Sequence, residues 1–265
     1  MLKITDMLCM PGSDNKPNED YIFRTDNCIA VLDGATNLNG SSYGADEFVR
    51  DFCEKFEPIV KSLPLPTAIL TAIKELYNIK IGDAPPAHDV ALYSSAAAAF
   101  AAETETSLQI LTLGDCTALI FTADGVKNVR SRQLEALDGS VTARLKSLHE
   151  KTGADVADIL KTDEIQSILI ENRKKMNTPG GYKSLAFNLT DLGDGDITAF
   201  DKRDVEKVIL FSDGFKSMEA EIIAGVPFCE IYSKLREKEN SDRRLNADPR
   251  FKISDDASII SFTIE

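Results

Sequence analysis

Cys28–Asn37 reads CIAVLDGATN, four apolar residues (Ile29, Ala30, Val31 and Leu32) running straight into Asp33-Gly34. A short, unbroken apolar run closed by a turn signal predicts a strand buried on both faces. The strand carries Asp33 to its end, where Gly34 lets the backbone turn sharply and stay uncovered. A carboxylate at a buried strand end costs free energy unless something positive pairs with it. No Lys or Arg lies close by in sequence, which leaves a metal ion as the natural partner. An Asp-Gly turn is commonplace on its own, so the case rests on the rest of the chain.

Upstream, Tyr21–Arg24 is a short strand, and Asp26-Asn27 turns it into the 28–32 strand as a hairpin. That pairing sets Glu19-Asp20 beside Asp33. Leu2–Leu8 alternates as a first strand, with a loop over Pro11–Asn15. Downstream, Gly40–Val60 is predicted helical, capped by Ser41 or Ser42, with Phe48, Val49, Phe52, Phe56, Ile59 and Val60 on one stripe. Thr67 is the expected cap of a second helix, after Pro64 and Pro66, and Ala84–His88 is a loop.

From Ala91 the pattern turns to strands: Tyr93–Ala102, Leu108–Leu113, Thr117–Thr122 and Val126–Val129, read as a four-strand antiparallel meander. Asp124-Gly125 is a strong hairpin turn, whereas the alanines of Tyr93–Ala102 favour helix. Gln133–Asn177 is charged and periodic, two or three helices ended by Thr178-Pro179-Gly180-Gly181. Strands are expected again at Lys183–Leu189 and Ile197–Phe200. Val205–Ser212 is a second fully buried strand, ending at Asp213-Gly214. Phe215–Glu221 and Val226–Glu239 read as helices, Asn240–Lys252 as a charged connector, and Ser254-Asp255-Asp256 opens a last strand, Ala257–Ile264.

With 265 residues, 43% hydrophobic and 28% charged, the composition is that of a soluble globular protein, expected to form a single domain over 1–265. The formal net charge of -13 disfavours nucleic acid and anionic membrane as partners. Cys9, Cys28, Cys53, Cys116 and Cys229 show no C-x-x-C spacing, which points away from zinc and disulfides and toward a reducing, cytoplasmic setting. Neither a signal-peptide stretch nor a run of about 18 apolar residues occurs. Asp191, Asp194, Asp196 and Asp201 lack the order and closing Glu of an EF-hand, so a polar hairpin loop is expected there. His88 and His149 have no ligand spacing.

Glu19-Asp20, Asp33-Gly34, Gly114-Asp115, Asp213-Gly214 and Asp255-Asp256 share one design: an acidic residue at the start or end of an apolar strand. Magnesium and manganese prefer such oxygen ligands. Carboxylates converging from strand ends can hold two ions close together, acidifying a water and neutralising a phosphoryl group. Asn18-Glu19-Asp20, then AVLDGA (30–35), LGDCTALIF (113–121), VILFSDGF (208–215) and DDASIISF (255–262) together resemble the metal-dependent (type 2C) protein serine/threonine phosphatase family. The resemblance runs from about Pro11 to the C-terminus, five motifs in order.

The resemblance implies an α+β, four-layer αββα sandwich, two central antiparallel sheets flanked by helices. It implies hydrolysis of phosphoserine and phosphothreonine with two Mg2+ or Mn2+ ions, by an activated water that attacks phosphorus in line. Carried over by position, Asp33 would bridge both ions, the Gly34 carbonyl would bind one, and Asp213 and Asp255 would bind the other. Glu19 would hold water in the site with Asp20 beside it, and Asp115 matches the carboxylate of a third, weaker ion in bacterial members. The family commonly has an arginine five residues before the Asp of NED to clamp the phosphate. Asn15 stands at that position, with Lys16 next to it as a point charge for the substrate phosphate. Eukaryotic members place a His after the Asp-Gly as proton donor, where this chain has Ala35, and the family commonly has a third-metal Asp four residues after the Asp of Ser-Asp-Gly, where it has Ser217. The strand before the meander reads Ser94-Ser95-Ala96-Ala97 in place of the usual Gly-Ser/Thr-Thr-Ala.

The leading expectation is therefore a cytoplasmic, bacterial-type phosphatase acting on phosphorylated proteins, with a kinase as a candidate partner and neither nucleic acid nor membrane. Asn15 and Ala35 motivate the alternative, a phosphatase-like regulatory or phosphoprotein-binding module with weak or no turnover. A hydrolase of small phosphate esters is a third reading.

Overall fold

The computed structural model describes residues 1–38, 40–82 and 93–265, so the loop expected over Ala84–His88 lies outside the described residues. The 28–37 stretch forms a strand, β3 (Cys28–Ala35), between β2 (Asp20–Arg24) and β4 (Ser95–Glu103). β5 (Ser107–Leu113) and β8 (Ile197–Asp201) complete that sheet in the order β2-β3-β4-β5-β8. β1 (Leu2–Met10), β10 (Ala257–Ile264), β9 (Val205–Phe211), β6 (Thr117–Thr122) and β7 (Gly125–Arg130) form the other, in the order β1-β10-β9-β6-β7. Both sheets are antiparallel throughout.

Side chains alternate across a strand, and on β3 both faces are covered. Cys28, Ala30 and Leu32 pack toward α1 (Ala45–Val60) and α2 (Leu65–Lys80), while Ile29 and Val31 join the core between the sheets with Ala118, Ile120, Leu210 and Ile260. That is why the stretch is apolar without interruption. β4 behaves likewise, with Ala98 and Phe100 toward the helices and Ala97, Ala99 and Ala101 toward the other sheet. Burial on both faces overrides alanine's helical preference. Aromatic rings fill the helix side, Phe56 lying 5.3 Å from Phe52 and 5.5 Å from Phe100 between centroids.

The outer face of the second sheet is covered by α6 (Glu219–Ile223) and α7 (Phe228–Ser241), whose Ile231 and Leu235 pack on Phe211 and Phe215. The result is the expected αββα sandwich. Between β7 and β8, α3 (Gln133–Thr152), α4 (Val156–Ile159) and α5 (Asp163–Arg173) build a separate small core of Val141, Leu145, Ile159 and Ile165. Among the described residues no helix is long and apolar enough to cross a membrane.

Several expectations are corrected. α1 begins at Ala45, because Ser41 Oγ accepts the Tyr43 N–H (3.1 Å) and Glu47 reaches back to the Gly44 N–H (3.1 Å), so neither Ser41 nor Ser42 caps the helix. α2 begins directly after Pro64, since proline is tolerated in a first turn, and Thr67 lies inside the helix. The four strands are not one meander: β5 and β6 belong to different sheets, and the chain crosses between them at Gly114-Asp115-Cys116. Lys183–Leu189 is not a strand but bridges β4 only at Ala96 and Leu185. Asn177 takes the Ser184 N–H and donates to its carbonyl, both at 2.9 Å, so a side chain uses the groups a ladder would need. The expected helix at Phe215–Glu221 is a 3-10 turn over Asp213–Met218 followed by the short α6.

Candidate metal centre

The strand ends deliver their acids to one place. Asp20 and Asp33 face each other across the β2–β3 hairpin. Asp115 enters at the crossing between the sheets, and Asp213 follows β9. Asp33, Asp115 and Asp213 each offer a carboxylate oxygen, and these atoms all lie within 4.8 Å of one another. Antiparallel pairing fixes this convergence, because β3 and β9 are central strands whose ends cannot move without breaking their ladders.

Burial and mutual repulsion raise five of these carboxyls. Burial, then the Asp20 and Asp213 charges, holds Asp33 well above the usual carboxylate range. Burial pushes Asp20 up to about 8 against the hydrogen bonds of Ser212 and Ser258. Asp115 is raised to about 6 by burial and by Asp138, and Asp213 is raised by burial and by Asp115. Asp255 is raised to about 6 by burial and Asp213, with Lys252 working against the shift.

The residues fit a hard divalent cation. The donors are all oxygens, the chemistry magnesium and manganese select. Asp20 Oδ2 accepts the Ser212 hydroxyl (2.8 Å), but its Oδ1 is buried with no hydrogen-bond partner. A buried carboxylate oxygen left so is costly unless a cation nearby compensates it.

Other expected residues sit around this triad rather than in it. Asp255 Oδ1 accepts Lys252 Nζ (2.5 Å) and the Asp256 N–H (2.9 Å). Glu19 accepts the Thr36 hydroxyl through its side chain and the Gly34 N–H (3.1 Å) through its carbonyl. Asp256 pins the approach to the site, its two oxygens taking the Gly12 and Glu19 N–H groups at 2.7 Å each. Asn15 and Lys16 are exposed on the wall of a groove of ≈ 710 Å³ that reaches Asp255 and Asp256. Ala35 and Ser217 bring no ionisable group.

Three residues had no place in the sequence reading. Asp138, on α3, shares a ≈ 350 Å³ cavity with Asp115 and Asp213 and is raised to about 6 by burial and the Asp213 charge. Nothing distinguishes it among the other acids of a charged helix. Arg173, the last residue of α5, donates to the carbonyls of Ala35 (3.0 Å) and Tyr93 (3.3 Å), just beyond Asp33-Gly34. Lys252 stands three residues before Asp255, a spacing that was open to notice. Partial desolvation opposes its charge, but Asp255, Asp33 and Asp213 outweigh this and hold the ammonium above its ordinary value.

Two acids of the 191–201 segment are occupied elsewhere: Asp196 pairs with Lys183 (2.7 Å) and Asp201 with Arg203 (2.6 Å). His149 Nδ1 lies 2.7 Å from the Ala154 carbonyl, and Cys116 is buried in the core between the sheets.

Comparison with known proteins agrees with this architecture. The serine/threonine phosphatase Stp1 from Staphylococcus aureus superposes with a TM-score of 0.55 at 14% identity, over 100% of this chain and 96% of that one. The catalytic domain of the serine/threonine protein phosphatase PstP, solved with 2 manganese ions, gives 0.54 at 12% identity, over 99% of each chain. The PPM Ser-Thr phosphatase MsPP from Mycobacterium smegmatis, solved with cacodylate, gives 0.53 at 12% identity, over 99% of this chain and 100% of that one. At these identities the likeness is one of fold. No curated protein sequence matches the chain. The family model for protein phosphatase 2C matches residues 12–247, nearly the whole chain, which therefore belongs to the protein phosphatase 2C family of metal-dependent serine/threonine phosphatases.

Proposed function

We propose that this phosphatase works with two Mg2+ or Mn2+ ions held at the β3 and β9 strand ends, on phosphoserine and phosphothreonine of a protein, as one domain over residues 1–265. The observation that carries the reading is the convergence of Asp33, Asp115 and Asp213 within 4.8 Å, with the orphaned Asp20 oxygen beside them. Asp33 would be held in common by the ions, with the Gly34 carbonyl, Asp213 and Asp255 as the further groups that would hold them. Asp115 would hold a third, weaker ion, with Asp138 lining the same cavity where Ser217 offers no carboxylate. Bound hard cations supply an acidified water and charge neutralisation at phosphorus.

The protein's own groups orient and hold. Glu19, fixed by the Thr36 hydroxyl, accepts hydrogen bonds from water in the site, and Ser212 keeps Asp20 aimed inward. Asn15 and Lys16 approach the substrate phosphate from the groove. Ala35 cannot donate a proton, so the leaving oxygen would take it from water or from another residue. A phosphorylated protein, including an autophosphorylated kinase, suits a site open to an exposed groove, and the -13 net charge disfavours nucleic acid.

The test is hydrolysis of p-nitrophenyl phosphate and a phosphoserine peptide with manganese, wild type against Asp33→Asn. Activity is expected to fall by more than about a hundredfold, beyond the loss typical of an outer ligand partner, with the circular dichroism spectrum retained. A wild type no more active than the folded variant overturns the reading. Tight phosphoprotein binding without turnover would instead assign a binding module.

A further inference from the structure

A phosphate monoester dianion approaching Asp33, Asp115, Asp213 and Asp255 is repelled unless fixed cations receive it, and Asn15 offers only a neutral amide. Most basic side chains around the site are already committed. Arg236 is held by Glu239 (2.5 Å) and the Asp255 carbonyl (2.8 Å). Lys216 pairs with Glu135 (3.3 Å), and Arg173 is engaged by backbone carbonyls. Lys16 has no ion pair or hydrogen bond among the described residues, but it is exposed on the outer groove.

Lys252 is placed differently. It and Asp255 line both the groove holding Asn15 and Lys16 and the cavity holding Asp115 and Asp213, so they stand where the two meet. Its side chain is 49% exposed. An ammonium has three donors, and Asp255 Oδ1 accepts from it at 2.5 Å, which leaves two N–H groups for another acceptor.

We propose that Lys252 is a substrate-phosphate ligand, donating to a phosphoryl oxygen while it keeps its contact with Asp255, in the place where the family's forked arginine is missing. The assignment rests on the phosphatase reading above. Lysine there is a point charge rather than a fork, so it neutralises the phosphate without dictating its rotation.

The test uses the full chain loaded with manganese, with K252Q and K252R beside wild type. It reads competitive inhibition by inorganic phosphate, KM for p-nitrophenyl phosphate and Mn2+ affinity by calorimetry. In K252Q the phosphate inhibition constant and KM are expected to rise roughly tenfold or more, the loss of one charge-assisted hydrogen bond. K252R is expected to recover most of that loss, and Mn2+ affinity to stay at the wild-type value in both. An unchanged phosphate inhibition constant in K252Q overturns the assignment. So does a weakening of phosphate matched by an equal weakening of Mn2+, because Lys252 would then act only by holding Asp255. A wild type that neither hydrolyses nor binds phosphate with manganese overturns the phosphatase reading, and this assignment with it.

Discussion

At the scale of single residues, the candidate centre depends on backbones meeting more closely than side chains allow. A Cβ on Gly214 would lie 2.1 Å from the Asp256 carbonyl oxygen, and one on Gly34 would lie 2.5 Å from that of Glu19. Each glycine directly follows an acid of the site, so the added atom would force apart the segments that carry the ligands. Gly214→Ala is expected to destabilise the fold by about 1–3 kcal/mol, the usual cost of overpacking, and to weaken Mn2+ binding. Denaturant unfolding and calorimetry check it. Gly193→Ala is the control, since a Cβ there meets nothing within 4 Å. Equal unfolding midpoints for the two variants would show that close approach at Gly214 is not limiting.

At the scale of elements, the candidate site is bound to a helix far away in sequence. Arg173, closing α5, donates to Ala35 and Tyr93 and so ties the α3–α5 layer to the end of β3. Arg173→Met is expected to cost about 1.5–3 kcal/mol, the range for a hydrogen bond to a charged group. Hydrogen exchange should then speed up over residues 163–173 and 35–37 while the β9 amides keep their protection. Protection unchanged in both segments would refute the tie. This link also shows where sequence reading stops. β3 and β9 are legible because burial on both faces leaves an unbroken apolar run, and the acids at their ends are legible as strand terminators. The split between β5 and β6 is not, because an apolar pattern gives a strand's buried faces and not its sheet. Lys183–Leu189 misleads because Asn177, several residues upstream, takes the backbone groups of Ser184. The cations are hidden for the same reason of distance: the chain around Asp33 contains none, and Lys252 and Arg173 arrive only through the tertiary fold.

At the scale of the whole molecule, the folded chain concentrates part of its negative charge in one half-buried cluster, with Asp20 buried, and stability should record this. Asp20 is raised to about 8, Asp115, Asp138 and Asp255 to about 6, and Asp33 well above its ordinary value, with burial the first cause in each. In the unfolded chain these groups titrate near 3.8. Between about pH 4 and 8 the native state therefore holds protons that the unfolded chain has released, and by linkage its stability falls as pH rises through that window. Carboxylates lowered by partners act in the opposite sense and at lower pH. Glu103 and Asp242 are each lowered against partial burial, Glu103 by Lys202 and the N-terminus and Asp242 by the Asp248, Ala247 and Asn246 amides, so their contribution is lost only as pH drops below the ordinary carboxylate range. The two effects are thus separable. In EDTA the melting temperature is expected to fall by at least several degrees from pH 5 to pH 8, where about 1 kcal/mol corresponds to roughly 2–4 °C for a chain of this size. Saturating Mn2+ or Mg2+ should remove most of that slope, because a bound cation replaces the protons as the compensating charge and stabilises by mass action. Scanning calorimetry over this pH range, with and without the ion, decides it. A melting temperature that is flat or rising in EDTA would mean that the cluster is solvated or already compensated by Lys252 and its neighbours.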